Sequence, residues 1–361
     1  MALPTTLSYR ERQSGNFPTE YGVTKIIRSN NHNIGTFMHF TRRTFSTAAL
    51  GCLLAASAGA QTFPTKPVRI ITPFPVGSGP EGVVRLVADK LSRTWGQPVI
   101  VENKPGGNGF IAIDVFKRGA KDGHDLIQLD NVHLSAYPHL FKKLPYDTAA
   151  DFEPLLPLFK TYFFVAVATD SKYKTVGDII ADAKANPGKL NYGSWSVGNP
   201  VHLGSALFES VTGTQMQHVI YKETTMLYTG VANSELSFAL GTNASAGAMY
   251  RAGKVRYVGV AAPKRIAGFP NVPTVGESGG PANFEVSGWT AIAAPKGVPK
   301  AVADQIQRDI AKALAEPDVK EKFASFAYEP FPQTREQFDQ YIVSESARYS
   351  EIIKKAKVSL D

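Results

Sequence analysis

Val68-Arg69-Ile70-Ile71-Thr72 runs into Pro73-Phe74-Pro75-Val76-Gly77-Ser78-Gly79, and Pro80 follows. The first five residues are mostly β-branched and apolar, which suits a buried strand. The next seven cannot extend it, because two prolines remove ladder donors and two glycines free the backbone. Pro80 fits the first turn of a helix, where its missing N–H costs nothing. Val84, Val87, Leu91 and Trp95 then recur at helical spacing. Strand, small-residue loop and helix in direct succession form the repeating unit of an α/β sheet.

The same unit recurs outward from this stretch. Strands are expected at Pro98–Glu102, Leu126–Leu129, Thr161–Ala168 and Leu190–Gly193, and then at Gln217–Tyr221, Leu236–Leu240, Val255–Ala261 and Val286–Ala294. Thr175 with Asp178 spells a capping box ahead of a helix that ends near Pro187-Gly188. Pro200 opens a helix carrying Leu203, Leu207 and Val211. In the tail, Val302, Ile306, Ile310 and Leu314 fall four apart, and Thr334 with Gln337 caps a last helix. Strands separated by helices predict open parallel sheets covered on both faces.

The chain has 361 residues, 43% hydrophobic and 19% charged, with a net charge of +8 and one cysteine, Cys52. That length suggests two domains. One cysteine excludes a disulfide framework within the chain and a thiolate zinc site. Residues 1–60 read as an extension and an export signal rather than fold. Arg42 and Arg43 form a positive region, Thr44–Ala56 a short apolar one, and Ala58-Gly59-Ala60 a cleavage site before Gln61. The arginine pair fits a twin-arginine signal as well as an ordinary secretory one. Either would deliver the chain to the periplasm. Six basic and two acidic side chains belong to these sixty residues, so the remaining 301 carry only +4. That is too little and too scattered for a nucleic-acid partner, and it suits a small anion.

Ligands of open α/β sheets bind beyond the carboxyl ends of strands. Two loops there have the right composition: Pro75–Gly79 and Ser194–Val201, each leading into a proline-started helix. Facing each other across a cleft, their amide groups could grip a carboxylate. The alternative is that each is only a tight, well-capped turn. Gly77-x-Gly79-x-x-Gly82 also spells a dinucleotide fingerprint, with Glu102 twenty residues on for a ribose. Pro73, Pro75 and Pro80 argue against an exported NAD(P)-dependent oxidoreductase, since the first two break the strand and loosen the turn and the third deletes an amide. Ser194-x-Ser196-x-Gly198 nearly matches a nucleophile elbow with Ser196 as nucleophile, but Ser194 replaces its first glycine. The histidines show no metal-binding spacing. His218, in an apolar strand, reads as a satisfied core residue. Trp195, a large aromatic in a loop of small residues, fits packing or a stacking wall.

Several landmarks occur in order over residues 62–361. The opening Val68–Gly77 is followed by Gly96-Gln97-Pro98-Val99-Ile100-Val101-Glu102-Asn103-Lys104-Pro105-Gly106 and Lys143-Leu144-Pro145-Tyr146-Asp147. Next come Pro187-Gly188-Lys189-Leu190-Asn191-Tyr192-Gly193-Ser194, His202-Leu203 and His218-Val219-Ile220-Tyr221-Lys222. Pro270-Asn271-Val272-Pro273-Thr274-Val275 completes the set. Together they resemble the Bug-type periplasmic solute receptors, the binding proteins of tripartite tricarboxylate transporters. The resemblance implies a type II periplasmic-binding-protein fold: two open α/β lobes joined by two crossover strands around a ligand cleft. It also implies no catalysis, no cofactor and no metal. The expected partners are a small carboxylate held by loop backbone groups and water, and the membrane subunits of the transporter. The receptor itself is expected to be a monomer.

Carried over by position, the first loop supplies Phe74, Val76, Gly77, Ser78 and Gly79. The second supplies Ser194, Trp195, Ser196, Asn199 and His202; Asn131 and His133 follow the third strand, and Asn243 and Ser245 the Leu236 strand. The chain departs from the family pattern at Pro80-Glu81, at Glu223 and at Gly241-Thr242-Asn243-Ala244. With Trp195, Phe74 and Tyr137 near the expected cleft, an aromatic mono- or dicarboxylate of the terephthalate or phthalate type is favoured over citrate. One lobe is expected at 62–161 plus 288–361 and the other at 162–287. Their hinge is expected to close on the ligand.

Overall fold

The computed structural model describes residues 63–356 and 358–360. The export signal, its cleavage site and Cys52 lie outside the described residues. In chain order the strands are β1 Val68–Thr72, β2 Val99–Asn103, β3 Asp125–Asp130, β4 Phe152–Tyr162, β5 Phe164–Ala168 and β6 Asn191–Ser194. They continue as β7 Gln217–Ile220, β8 Ala239–Gly241, β9 Val255–Val260, β10 Ser287–Pro295 and β11 Tyr328–Glu329. The helices of eight residues or more are α1 Gly79–Trp95, α2 Phe110–Lys117, α3 Val176–Ala185, α4 Pro200–Thr212, α5 Thr224–Ala232 and α6 Asn243–Arg251. After these come α7 Lys300–Leu314, α8 Pro317–Phe326 and α9 Arg335–Ala356.

Two open α/β lobes result. The first is built on a six-stranded sheet in the order β11-β4-β10-β3-β1-β2. The second joins β8-β5-β9 to β6-β7, the two pieces meeting at a Tyr192–Phe238 bridge. β1 runs parallel to β2 and β3, whereas β10 runs antiparallel to β3 and β4. In the second lobe β5 is antiparallel to both β8 and β9. The purely parallel sheets expected from the alternation are therefore mixed. The reason is connectivity: β5 enters directly from β4 of the first lobe, and β10 returns from the second, so each arrives head to tail with its new neighbours. The crossings lie side by side, since the Phe163 N–H donates to Val286 O at 3.3 Å and the Ala261 N–H to Phe163 O at 2.8 Å.

The strand expected at 161–168 is thus two strands in two sheets, broken at Phe163. β4 also begins nine residues earlier than expected. Pro154 and Pro157 argue against a strand there, yet they sit at bulges in the pairing with β10. The other side of β4 is paired to β11 only at Lys160 and Thr161. Proline is tolerated where no ladder partner needs its N–H.

Each face of the first sheet buries its own core. On one side Val83, Val84, Val87 and Leu91 of α1 pack with Ile306 and Ile310 of α7. On the other, Phe116, Trp289 and Phe338 lie among the β3 and β10 side chains. Val165, Ile179, Tyr192, Val201 and Phe238 centre the second lobe.

Candidate ligand-binding cleft

The loop after β1 meets the start of α6 at Gly79 and Ala244, and the turn after β3 meets the loop after β6 at Leu140 and Gly198. Beneath the first loop, Thr72 Oγ1 donates to Gln128 Oε1 at 2.8 Å, and Gln128 Nε2 donates to Pro80 O at 3.0 Å. Asn103 Nδ2 ties down Phe74 O at 2.9 Å. The tip is left standing out, with Val76 75% exposed. Gly77 takes a left-handed φ of 81°. Its N–H donates to Glu81 Oε2 at 3.1 Å, and Glu81 also pairs with Arg85. The Ser78 N–H donates to Pro75 O at 3.2 Å. Two amides expected to face a ligand are therefore spent internally, one of them on the chain's own carboxylate. Ser78 Oγ, by contrast, is buried with no partner. Gly79 is wedged against the Tyr328 hydroxyl and Ala244 of α6, so the helix entrance touches the other lobe.

The second loop is braced more heavily. Ser194 Oγ lies 2.7 Å from His218 Nε2 and 2.9 Å from Ser196 O, and it accepts from Asn199 Nδ2 at 3.1 Å. Asn199 Oδ1 caps α4 by accepting the Val201 and His202 N–H groups at 2.8 and 3.0 Å. The Gly198 N–H donates to His202 Nδ1 at 3.1 Å. His202 stacks on His218 at 4.2 Å, and His218 on Tyr192 at 5.2 Å. Burial, with His218 alongside, lowers the His202 pKa to about 4, and burial lowers that of His218. Both rings are therefore neutral at pH 7 and suited to packing. His218, expected as a core residue, is half-buried in the structure, between the Tyr192 and His202 rings with Nε2 on Ser194 Oγ. Trp195 is half-buried and rests on both cores of the second lobe.

The remaining candidates are tied into the surrounding structure by internal bonds. Asn131 is buried and donates to the Tyr349 hydroxyl at 2.5 Å. His133 is buried with Asp130 Oδ1 at Nδ1 and Asn108 O at Nε2, the latter at 3.1 Å. Asn243 bridges the lobes by donating to Ser325 O at 2.9 Å. Ser245 is used in the capping box with Thr242 and in a bond to the Tyr228 hydroxyl. Tyr137 is buried among Phe110, Phe141 and His133 and forms no wall.

The sequence reading missed Thr161, Ser287, Ser135 and Ser205, whose buried hydroxyls have no partner. Thr161 and Ser287 stand where the chain crosses between the lobes. For Thr161 and Ser287 the signal was their place at the expected lobe boundaries; Ser135 and Ser205 had none.

The competing chemistries lack their parts. Glu102 is paired to Arg69 and Lys104 at 3.0 and 2.9 Å, so it is not held in reserve for a ribose. His218 reaches Ser194 rather than Ser196, and Ser194 is fully buried. Among the described residues no group of three or more His, Cys, Asp or Glu side chains could hold a metal, and no helix is long and apolar enough to cross a membrane.

Two α/β lobes with paired crossings, meeting through small-residue loops at their strand ends, define a two-lobed solute-binding protein. The chain belongs to the tripartite tricarboxylate transporter receptor family, whose model matches residues 83–358. Receptors of this family are periplasmic and bind solutes; they are not enzymes. Among solved structures, R. palustris Rpa4515 with adipate is 25% identical with a TM-score of 0.76, covering 82% of this chain and 99% of its own. MatC from Rhodopseudomonas palustris with bound malate is 25% identical at 0.72, covering 81% and 100%. The periplasmic binding protein BugD is 25% identical at 0.72, covering 82% and 99%.

Proposed function

We propose that this receptor captures a small aromatic mono- or dicarboxylate and hands it, as a monomer, to the membrane subunits of a tripartite tricarboxylate-type transporter. It reaches the periplasm on a secretory or twin-arginine signal cleaved after Ala60. We take the lobes as 62–161 plus 288–361 and 162–287. Phe74, Val76, Gly77, Ser78 and Gly79 form one wall; Ser194, Trp195, Ser196 and Asn199 form the other. Asn131, His133, His202, Asn243 and Ser245 hold the walls in place. The carrying observation is Trp195: a half-exposed indole beside a braced polar loop offers a flat apolar face next to hydrogen-bond donors. The adipate and malate held by the R. palustris proteins support a carboxylate and leave its shape open.

A thermal-shift panel of terephthalate, phthalate, benzoate, adipate, malate and citrate tests the choice. A ligand at a hundred times its dissociation constant adds about 2.7 kcal/mol to the native state. The aromatic acids should raise the melting temperature most. A larger rise with citrate or malate would replace the aromatic assignment with an aliphatic one.

A further inference from the structure

We infer that the C-terminal segment Val358–Leu360 is a strap that positions the second ligand loop. The segment follows α9 and doubles back: the Val358 N–H donates to Ile353 O at 3.3 Å, and the Leu360 N–H to Leu140 O at 3.1 Å. Its side chains join an apolar cluster drawn from both lobes. Val132, Ala136, Tyr137 and Leu140 come from the turn after β3, Ile352 and Ile353 from α9, and Leu203 from the first turn of α4.

The strap ends on the second loop itself. Gly198 has a left-handed φ of 80°, and a Cβ there would lie 2.7 Å from Leu360 Cδ1 and 3.1 Å from Leu140 Cδ1. Leu360 therefore presses directly on the Gly198 backbone. Gly198 in turn adjoins Asn199, whose side chain both caps α4 and reaches Ser194. A shift of Gly198 moves the cap, the Ser194 brace and Trp195 together. Leu360 and Leu140 are thus positioning residues for the wall proposed above, and the strap ties that wall to the turn carrying Asn131 and His133. Two backbone hydrogen bonds and the Leu360 side chain seat the segment, so the loop is only as ordered as the strap that holds it.

This inference rests on the proposed ligand wall, so its test begins without ligand. Hydrogen exchange by mass spectrometry compares the mature protein with a form lacking residues 358–361, with Leu360→Ala and with Leu360→Met. Peptides spanning 194–203 should exchange about tenfold faster in the truncated and Leu360→Ala proteins. Leu360→Met should restore wild-type rates, and peptides of β1 and α1 should be unchanged in all forms. Unchanged exchange at 194–203 in the truncated protein would overturn the strap. Equal acceleration in β1 and α1 would also overturn it, by showing a general loss of stability. Terephthalate and adipate are then titrated into each form, and the acid that binds wild type should bind the truncated protein about tenfold more weakly. Equal affinity would overturn the strap's role in binding. Failure of every acid in the thermal-shift panel to bind wild type would refute the functional reading and leave the exchange result to decide the strap.

Discussion

A methyl group on Gly79 would lie 2.2 Å from the Tyr328 hydroxyl and 2.8 Å from Ala244 Cβ. The sequence marks Gly79 as a loop residue before a proline, but the side chains that require glycine there come from β11 and from the other lobe. Their approach is a tertiary fact that no local pattern carries. Glu81 is similar: its acid is visible in the first turn of α1, but its bond to the Gly77 N–H appears only with the loop's bend. Gly79→Ala should cost about 1–3 kcal/mol by overpacking, read from urea denaturation. Tyr328→Phe, by removing the nearest atom, should recover part of that loss in the double variant. A neutral Gly79→Ala would mean that the helix entrance is not held against the second lobe.

Among the elements, those set by local chemistry were legible. The Thr175–Asp178 capping box forms as expected, and Thr334 and Gln337 exchange bonds at 2.9 and 3.2 Å. β4 was hidden because its prolines look like breakers until the unpaired side of the strand is known. The break at Phe163 was hidden because an apolar run does not reveal a change of sheet. The Tyr192–His218–His202 stack, which joins β6, β7 and α4, was also invisible, because its members lie on three separate elements. It has a pH signature. The unfolded His202 titrates near about 6.5, while the native ring is held down to about 4. As pH falls through that window the unfolded chain takes up the proton first. Stability present above pH ~6.5 is therefore lost toward pH ~4, by on the order of 3 kcal/mol. His202→Gln keeps an acceptor for the Gly198 N–H, and its urea midpoint should fall less over this range. A wild-type-to-variant difference that stays constant from pH 6.5 to 4 would rule out a neutral native His202.

For the whole molecule, the two lobes share one plan: each receives a strand from the other, β10 in the first and β5 in the second, that runs antiparallel to both its neighbours. Strand–helix alternation conveys the layers but not this exchange, which the family resemblance supplied. The loops that carry the candidate site were also legible from their small residues. The use of their amides was not, because internal acceptors such as Glu81 Oε2 and Pro75 O compete with any ligand. Ser78 Oγ is left without an internal partner on one lobe, and Trp195 is half-buried in its loop on the other.

Calorimetric titration of terephthalate into wild-type, Ser78→Val and Trp195→Ala proteins tests directly whether one acid is clasped by both lobes. One hydrogen bond to a charged group is worth about 1.5–3 kcal/mol. The account predicts one site per chain in wild type and a loss of affinity of roughly 10–100-fold in each variant. A substitution in either lobe that leaves the affinity unchanged would contradict it.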